Sequence, residues 1–163
     1  MRSRQWRKVY EKHSAVWKGK ERVLTYTSKT CTIFFALSYF ALGIYLLCSE
    51  QTRKVLFVGL AFFTCLVCVQ ILRLVCNRKR PFERGVTPLV EKKKAGKSFP
   101  SRHTACAFVI ATVFIPFCWL LSLPLYLLGC LLAYARFALG WHYPTDLFGG
   151  SLIGTLCGLI ALI

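Results

Sequence analysis

The chain has 163 residues, of which 56% are hydrophobic, and its mean hydropathy is +0.52. The apolar residues fall in blocks of roughly 17 to 20, which excludes an ordinary soluble domain and suits the ~30 Å hydrocarbon core of a bilayer. The 22 lysines and arginines outnumber six acidic residues, and the formal net charge of +16 favours an anionic membrane surface or a phosphorylated substrate. Because no nucleic-acid-binding motif is present, nucleic acid is not expected as a partner.

The first 29 residues are basic, with apolar side chains between the charges. They carry nine of the lysines and arginines, together with Trp6, Tyr10 and Trp17. This pattern predicts an amphipathic segment lying on an anionic lipid surface, although a solvated basic tail would have the same composition. We therefore distinguish a basic segment at residues 1–29 from a membrane-embedded domain at residues 30–163.

Five apolar blocks follow, each apolar on all sides, as expected for helices in lipid. The sequence predicts these spans at residues 30–48, 55–76, 104–123, 124–140 and 147–163. Pro124 is expected to mark a tight turn between the third and fourth spans. The predicted fold is an all-α membrane bundle of about five transmembrane helices, with an interfacial site where polar motifs meet the span ends.

The first polar motif, Arg73-x6-Arg80-Pro81, ends the second span. A separation of seven residues is about two helical turns, so both arginines would project from one face if the helix continued to Pro81. A guanidinium group matches the oxygens of a phosphate with its fork of donors. The alternative is a pair of interfacial arginines whose charged heads reach towards water.

The second motif, Pro100-Ser101-Arg102-His103, precedes the third span. It places Ser101 and His103 around the free backbone N–H groups of a helix N-terminus, which attract anions. A histidine there can donate a proton to a leaving oxygen. The alternative is a capping serine beside an interfacial histidine.

The third motif, Arg136-x5-His142-x3-Asp146, joins the fourth and fifth spans and contains the only aspartate of the chain. A carboxylate near one ring nitrogen fixes the tautomer of a histidine and raises the basicity of the other nitrogen, which makes the ring a nucleophile. A loop histidine beside a helix-capping aspartate is the alternative. Arg136 is a functional candidate because ionisable residues are costly in apolar spans.

Taken together, the types, order and spacing of these residues resemble the three signature motifs of the type 2 phosphatidic acid phosphatase family, over about residues 70 to 150. That family includes lipid phosphate phosphatases and undecaprenyl pyrophosphate phosphatases, and it shares its core with vanadium haloperoxidases. The resemblance implies a membrane phosphatase that needs no metal or other cofactor. Its substrate would be of the phosphatidic acid, phosphatidylglycerophosphate or isoprenoid pyrophosphate type.

The resemblance also implies roles for particular residues. His142 would attack phosphorus and form a phosphohistidine, Asp146 would orient His142, and His103 would protonate the leaving group. The substrate phosphate would be held by four residues: Arg73, Arg80, Ser101 and Arg136.

Three positions depart from the family pattern. Arg73 stands in place of lysine, Arg102 in place of glycine, and Ala135 in place of serine. The first change keeps the charge but widens the donor group, which bears on substrate fit. A hypothesis from another class is a catalytically silent membrane protein that binds anionic lipid headgroups, and phosphate release by the purified protein would discriminate the two.

Charge bias and the resemblance disagree about the membrane face. Five spans place the N-terminus and all three motifs on one side. The basic residues 1–29 favour the cytoplasmic side, whereas many bacterial relatives in the family act on the outer side. The small frame, with little outside the membrane, favours a bacterial cell membrane, and charge bias predicts a cytoplasmic site.

Overall fold

A computed structural model describes the backbone of residues 2–91 and 95–163 and the side chains of residues 7–91 and 95–163, so Trp6 lies outside the described side chains. Within these ranges the chain is helical and contains no strand, which confirms the all-α prediction. The α-helices are α1 (Arg2–Trp17), α2 (Glu21–Cys48), α3 (Thr52–Cys76), α4 (Arg102–Val113), α5 (Trp119–Ala138) and α6 (Pro144–Gly158). Short 3-10 helices lie at Pro81–Arg84 and Leu159–Leu162.

Four long helical segments surround one short helix. Among the described residues, the segments long and apolar enough to cross a bilayer are Glu21–Cys48, Thr52–Arg84, Trp119–Ala138 and Pro144–Leu162. Helix α4 has 12 residues, or about 18 Å of length. It contacts α2, α3, α5 and α6, and most of its side chains are buried. The expected five membrane helices are thus four long ones around a short central one.

Two element boundaries differ from the sequence prediction. Helix α4 ends at Val113, and the turn into α5 contains Pro116, whereas Pro124 lies inside α5. Both prolines stand in apolar sequence, and a proline inside a membrane helix is tolerated when neighbouring groups satisfy the freed carbonyl. At the other boundary, α2 begins at Glu21, so the expected division between residues 29 and 30 falls inside a continuous helix.

The two ends of the bundle are built from different segments. At one end, the Lys54 ammonium lies 5.5 Å from the centre of the Phe117 ring. The same end brings Arg53, Pro116 and Ile163 around one pocket, so the α2–α3 turn, the α4–α5 turn and the C-terminus lie together. The three polar motifs and α1 lie at the opposite end. This is the arrangement that an odd number of crossings requires.

A stripe of glycines lets α6 approach α4 closely. A Cβ atom added at Gly150 would lie 2.6 Å from the Ser101 carbonyl oxygen, and those at Gly154 and Gly158 would overlap α4 as well. Small residues at such an interface allow two backbones in a membrane to pack against each other. The approach brings the start of α4 against the start of α6, where the Ser101 N–H donates to the Asp146 carbonyl at 2.9 Å.

Candidate active site

Ionisable side chains from the first and third motifs lie buried at the end of the bundle that carries α1. Arg80, Arg136, His142 and Asp146 each expose 6% of their surface or less. Burying a charge costs free energy unless partners compensate for the lost water. The partners of these four side chains therefore define the site.

Asp146 receives hydrogen bonds on both carboxylate oxygens. Arg78 donates through Nη1 to Oδ1 at 2.8 Å, and the same Nη1 donates to the Thr145 hydroxyl at 2.7 Å. Oδ2 accepts from the Ser98 hydroxyl at 2.5 Å and from the Tyr143 N–H at 3.0 Å. Since Tyr143 precedes the first residue of α6, Asp146 also caps that helix. The carboxylate is thus held as an anion with one cationic partner.

The ring of His142 is fixed by a backbone carbonyl. Its Nδ1 lies 3.0 Å from the Ser98 carbonyl oxygen and 3.7 Å from Asp146 Oδ2. A carbonyl can only accept, so Nδ1 carries the proton and Nε2 keeps its lone pair. The expected partner Asp146 is beyond hydrogen-bonding distance, and Ser98 takes the direct position. Nε2 lies 3.3 Å from Arg80 Nη1, which is long for a hydrogen bond.

Arg73, in α3, and Arg80, after the end of α3, both bind carbonyl groups of the loop at residues 96–97. Helix α3 ends before Asn77, whose φ of 31° is left-handed, so the two arginines do not share one helix face as expected. Arg73 Nη2 donates to the Lys97 carbonyl at 2.5 Å, and Arg80 Nε donates to the Gly96 carbonyl at 3.0 Å. Their convergence comes from the loop rather than from helical periodicity.

Arg136 stands out because, among the described residues, its buried Nε has no hydrogen-bond partner. Its guanidinium carbon lies 5.1 Å from the centre of the Trp141 ring, a cation–π contact. Trp141 is itself held at both ends, because its Nε1 donates to the Val90 carbonyl at 3.0 Å and its carbonyl accepts from Arg80 Nη1 at 3.1 Å. An unpaired buried donor is costly, and an anion would satisfy it.

Ser101 and His103 lie at the start of α4. Ser101 is fully buried at the N-cap position and accepts a hydrogen bond from the Thr104 hydroxyl at 3.0 Å. His103 is half-buried, and with Arg102 it lines a pocket of about 330 Å³ between α2, α3, α4 and α5. The rest of that lining is mainly apolar and includes Phe35 and Leu66. The pocket therefore sets an apolar wall beside a basic helix start.

Sequence reasoning missed three residues of this network: Arg78, Ser98 and Glu83. Glu83 Oε2 accepts the backbone N–H groups of Arg80 at 2.8 Å and Gly96 at 2.7 Å, which closes the loop beneath the first motif. A buried carboxylate is usually paired with a cation, so Asp146 alone indicated that a lysine or arginine lies beside it. The sequence offered several neighbouring basic residues and gave no means of choosing among them.

The site suits an anion better than a metal ion. Within residues 2–91 and 95–163, no group of three or more histidine, cysteine or acidic side chains is placed to hold a metal. Arg78 and Arg80 stand near one buried carboxylate, and Arg136 lies on the other side of Trp141 from Arg80's contact with its carbonyl. A phosphate group would supply the missing partner of Arg136 and balance the remaining positive charge.

Comparison with known proteins agrees with this picture. The family model of the PAP2 superfamily matches residues 54–163, which contain all three motifs. The chain is 28% identical to undecaprenyl-diphosphatase BcrC of Bacillus subtilis over 141 residues, covering 86% of this chain and 72% of the relative. It is 29% identical to an undecaprenyl-diphosphatase of Sulfolobus acidocaldarius over 125 residues, covering 72% of this chain and 58% of the relative.

Solved structures show the same architecture. The crystal structure of LpxE from Aquifex aeolicus superposes with a TM-score of 0.71 at 32% identity, covering 87% of this chain and 84% of that one. A PAP2-type phosphatidylglycerolphosphate phosphatase from Bacillus subtilis gives a TM-score of 0.73, covering 95% of this chain and 83% of that one. At 23% identity, the second likeness bears on the fold alone.

Proposed function

Because the chain belongs to the PAP2 superfamily, it is an integral membrane phosphatase of lipid phosphates or pyrophosphates, and we propose that His142 is its nucleophile. One observation carries this assignment. The Ser98 carbonyl holds the proton on Nδ1 and leaves the lone pair of Nε2 towards Arg80. A substrate phosphate that takes the Arg80 donor would free Nε2 for attack on phosphorus.

The chemistry proceeds in two steps. Nε2 of His142 forms a bond to phosphorus while the bond from phosphorus to the leaving oxygen breaks, and His103 gives that oxygen its proton. In the second step His103 takes a proton from a water molecule as the water oxygen attacks the phosphohistidine, the bond between phosphorus and Nε2 breaks, and phosphate leaves with both histidines restored. Arg80 and Arg136 stabilise the charge that develops on the phosphoryl oxygens, and their burial makes that stabilisation larger than in water.

Asp146 supports the nucleophile through its charge and its contacts. Its carboxylate lies 3.7 Å from Nδ1, close enough to stabilise the positive ring that forms when Nε2 attacks. Ser98 links the two residues, because its hydroxyl binds Asp146 while its carbonyl binds His142. Arg78 holds the Asp146 carboxylate in place with a hydrogen bond of 2.8 Å.

The substrate we favour is an isoprenoid diphosphate. The curated relatives from Bacillus subtilis and Sulfolobus acidocaldarius are undecaprenyl-diphosphatases, and a third match, 37% identical over 87 residues, is the putative undecaprenyl-diphosphatase YbjG of Escherichia coli. That match covers 52% of this chain and 43% of the relative. The apolar pocket beside His103 fits a lipid whose chain stays between helices while its headgroup reaches the arginines.

Purified protein offered undecaprenyl diphosphate, phosphatidic acid and phosphatidylglycerophosphate in parallel tests both parts of the proposal. We expect the parent protein to release phosphate fastest from undecaprenyl diphosphate. A His142 variant should release none from any of the three lipids. Preference for a glycerophospholipid would correct the substrate. Binding of all three lipids without any phosphate release would instead support the silent headgroup binder.

A further inference from the structure

Helix α1 lies against the turn that carries His142, and we propose that Tyr10 of this helix positions that turn for the reaction. The inference rests on the proposed function of His142. Tyr10 is a positioning residue, because it contacts the supports of the site rather than the substrate. It gives the basic N-terminal segment a role inside the protein in addition to any contact with lipid.

One face of α1 is anchored on the last turns of α5. The rings of Tyr10 and His13 lie edge-to-face with Phe137, at centroid distances of 6.4 Å and 5.6 Å. Further along, the Trp17 indole N–H donates to the Tyr134 hydroxyl at 2.9 Å. The contacts span two turns of α1, so the helix is docked by specific side chains.

Tyr10 is the buried member of this face, with 5% of its surface exposed. The Leu89 N–H donates to its hydroxyl at 3.2 Å. On its other side stands Gly140, whose φ of +77° favours glycine; a Cβ there would lie 2.6 Å from the Tyr10 hydroxyl and 3.1 Å from the Pro88 Cα. Tyr10 therefore touches both segments that meet at this point, the 88–90 loop and the turn after α5.

These two segments jointly hold Trp141. Gly140 precedes it in the chain, and the Val90 carbonyl accepts its indole N–H. Trp141 in turn supports the phosphate-binding arginines, since its carbonyl accepts from Arg80 and its ring lies 5.1 Å from the Arg136 guanidinium. His142 is the next residue. Tyr10 thus contacts Gly140, which is two residues before the proposed nucleophile and next to Trp141, the residue that contacts both arginines.

A different role for α1, electrostatic attachment to anionic lipid, depends on other side chains. Lys8 and Lys12 are exposed on α1 and stand two residues before and after Tyr10, on the opposite side of the helix from its buried ring. Attachment would affect substrates embedded in vesicles and depend on these charges. Positioning would affect turnover of any substrate and depend on Tyr10. Comparing variants of Tyr10 with variants of the lysines, on soluble and on membrane-embedded substrates, therefore distinguishes the two roles.

The activity test compares Tyr10→Ala, Tyr10→Phe and a Lys8→Ala/Lys12→Ala control, each with a water-soluble short-chain isoprenoid diphosphate and with the long-chain lipid in anionic vesicles. We expect Tyr10→Ala to lower kcat about tenfold to a hundredfold on both substrates, because small misplacement of reacting groups has effects of that size. KM should change little. Tyr10→Phe keeps the ring packing and should recover most of the rate, and the lysine control should match the parent on the soluble substrate.

Amide hydrogen exchange gives a second readout that does not depend on catalysis. Tyr10→Phe removes the acceptor of the Leu89 N–H, so exchange at Leu89 should accelerate while α3 and α6 stay protected. Tyr10→Ala should also accelerate exchange at residues 140–142. These shifts would appear even if the protein had no phosphatase activity, so failure of the proposed function is distinguishable.

Unchanged kcat in Tyr10→Ala together with unchanged exchange at residues 140–142 would overturn the proposal. So would a rate loss confined to vesicle substrates and shared by the lysine control, which would assign α1 to membrane attachment. If Tyr10→Ala fails to fold, Tyr10→Leu is measured in the same two ways, and unchanged kcat together with unchanged exchange at residues 140–142 would again overturn the proposal.

Discussion

The Asp146 carboxylate lies 2.8 Å from the Arg78 guanidinium and 3.7 Å from the His142 ring. The closest charge partner of the buried carboxylate is thus an arginine that lies between the two arginines of the first motif. His142 is held instead by the Ser98 carbonyl. A chain of hydrogen bonds, from Arg78 to Asp146 and through Ser98, therefore supports the histidine.

Removing Arg78 should weaken the fold and the reaction together. Arg78→Ala leaves Asp146 without its cation, and breaking a fully buried pair costs about 3–5 kcal/mol. Because the Arg78 side chain is 32% exposed, water can partly replace it, and roughly 2 kcal/mol is the expected loss. Arg78→Lys should restore part of it. Chemical unfolding in detergent measures the change, and the exposed neighbour Lys79→Ala is the matched control; equal stability of both alanine variants would remove the role of Arg78.

Replacing His142 should abolish phosphoryl transfer without disturbing the bundle. His142→Asn keeps a donor towards the Ser98 carbonyl but has no nucleophilic ring nitrogen, so kcat should fall by orders of magnitude, as for other catalytic units that act together. Labelled substrate quenched during turnover should leave an acid-labile phosphate on the parent and none on the variant. Substantial turnover by a correctly folded His142→Asn protein would exclude the covalent mechanism.

Variants of Arg73 distinguish the contribution of its positive charge from that of its guanidinium shape. Arg73→Lys should retain most activity, because it keeps the cation and restores the residue that the family pattern carries. Arg73→Ala should lose a preorganised donor, a loss of about 3 kcal/mol in kcat/KM. An alanine variant as active as the parent would limit Arg73 to its observed contact, the anchoring of the loop through the Lys97 carbonyl.

Activity should persist in excess EDTA and be inhibited by vanadate. The chain has six acidic residues, and Asp146 is engaged by Arg78, Ser98 and Tyr143 rather than open to a metal. Vanadate can occupy a phosphate site beside His142. Phosphate release with and without chelator is the measurement, and loss in EDTA that magnesium restores would contradict a metal-independent reaction.

The N-terminus and the site should report the same membrane face. Tyr10 contacts Leu89 and Gly140, so α1 belongs to the end of the bundle that holds the motifs. The basic residues 1–29 favour the cytoplasm for that end. On a background without native cysteines, Ala95→Cys should resist an impermeant thiol reagent on intact cells and Glu50→Cys should react. The reverse pattern would place the site outside, and labelling of both would contradict the spans.

The convergence of the motifs was predictable because their residue types and spacing repeat a family pattern, and the helical class followed from the apolar blocks. The path of the chain between the blocks was not. Pro116 and Pro124 give the same local signal, and tertiary packing decides which one ends a helix. Likewise, Arg78 and Lys79 are adjacent cations, and the sequence does not tell which of them reaches Asp146; in the structure it is Arg78, the residue after the left-handed Asn77.

The shortness of α4 has a consequence on the far side of the membrane. A helix of about 18 Å is roughly 12 Å shorter than a 30 Å hydrocarbon layer, so the turn after Val113 makes up the rest of the distance to the end of the bundle, where Phe117 meets Lys54. That turn is suited to such a position, because Ile115 donates its N–H group to the Thr112 carbonyl, and Phe117 and Cys118 donate theirs to the Phe114 carbonyl, at 2.8–3.1 Å. The long helices can adjust to a thicker or thinner bilayer by tilting, whereas α4 is enclosed and cannot. We therefore expect the bilayer thickness that suits the protein to depend on this turn as well as on the lengths of the long helices.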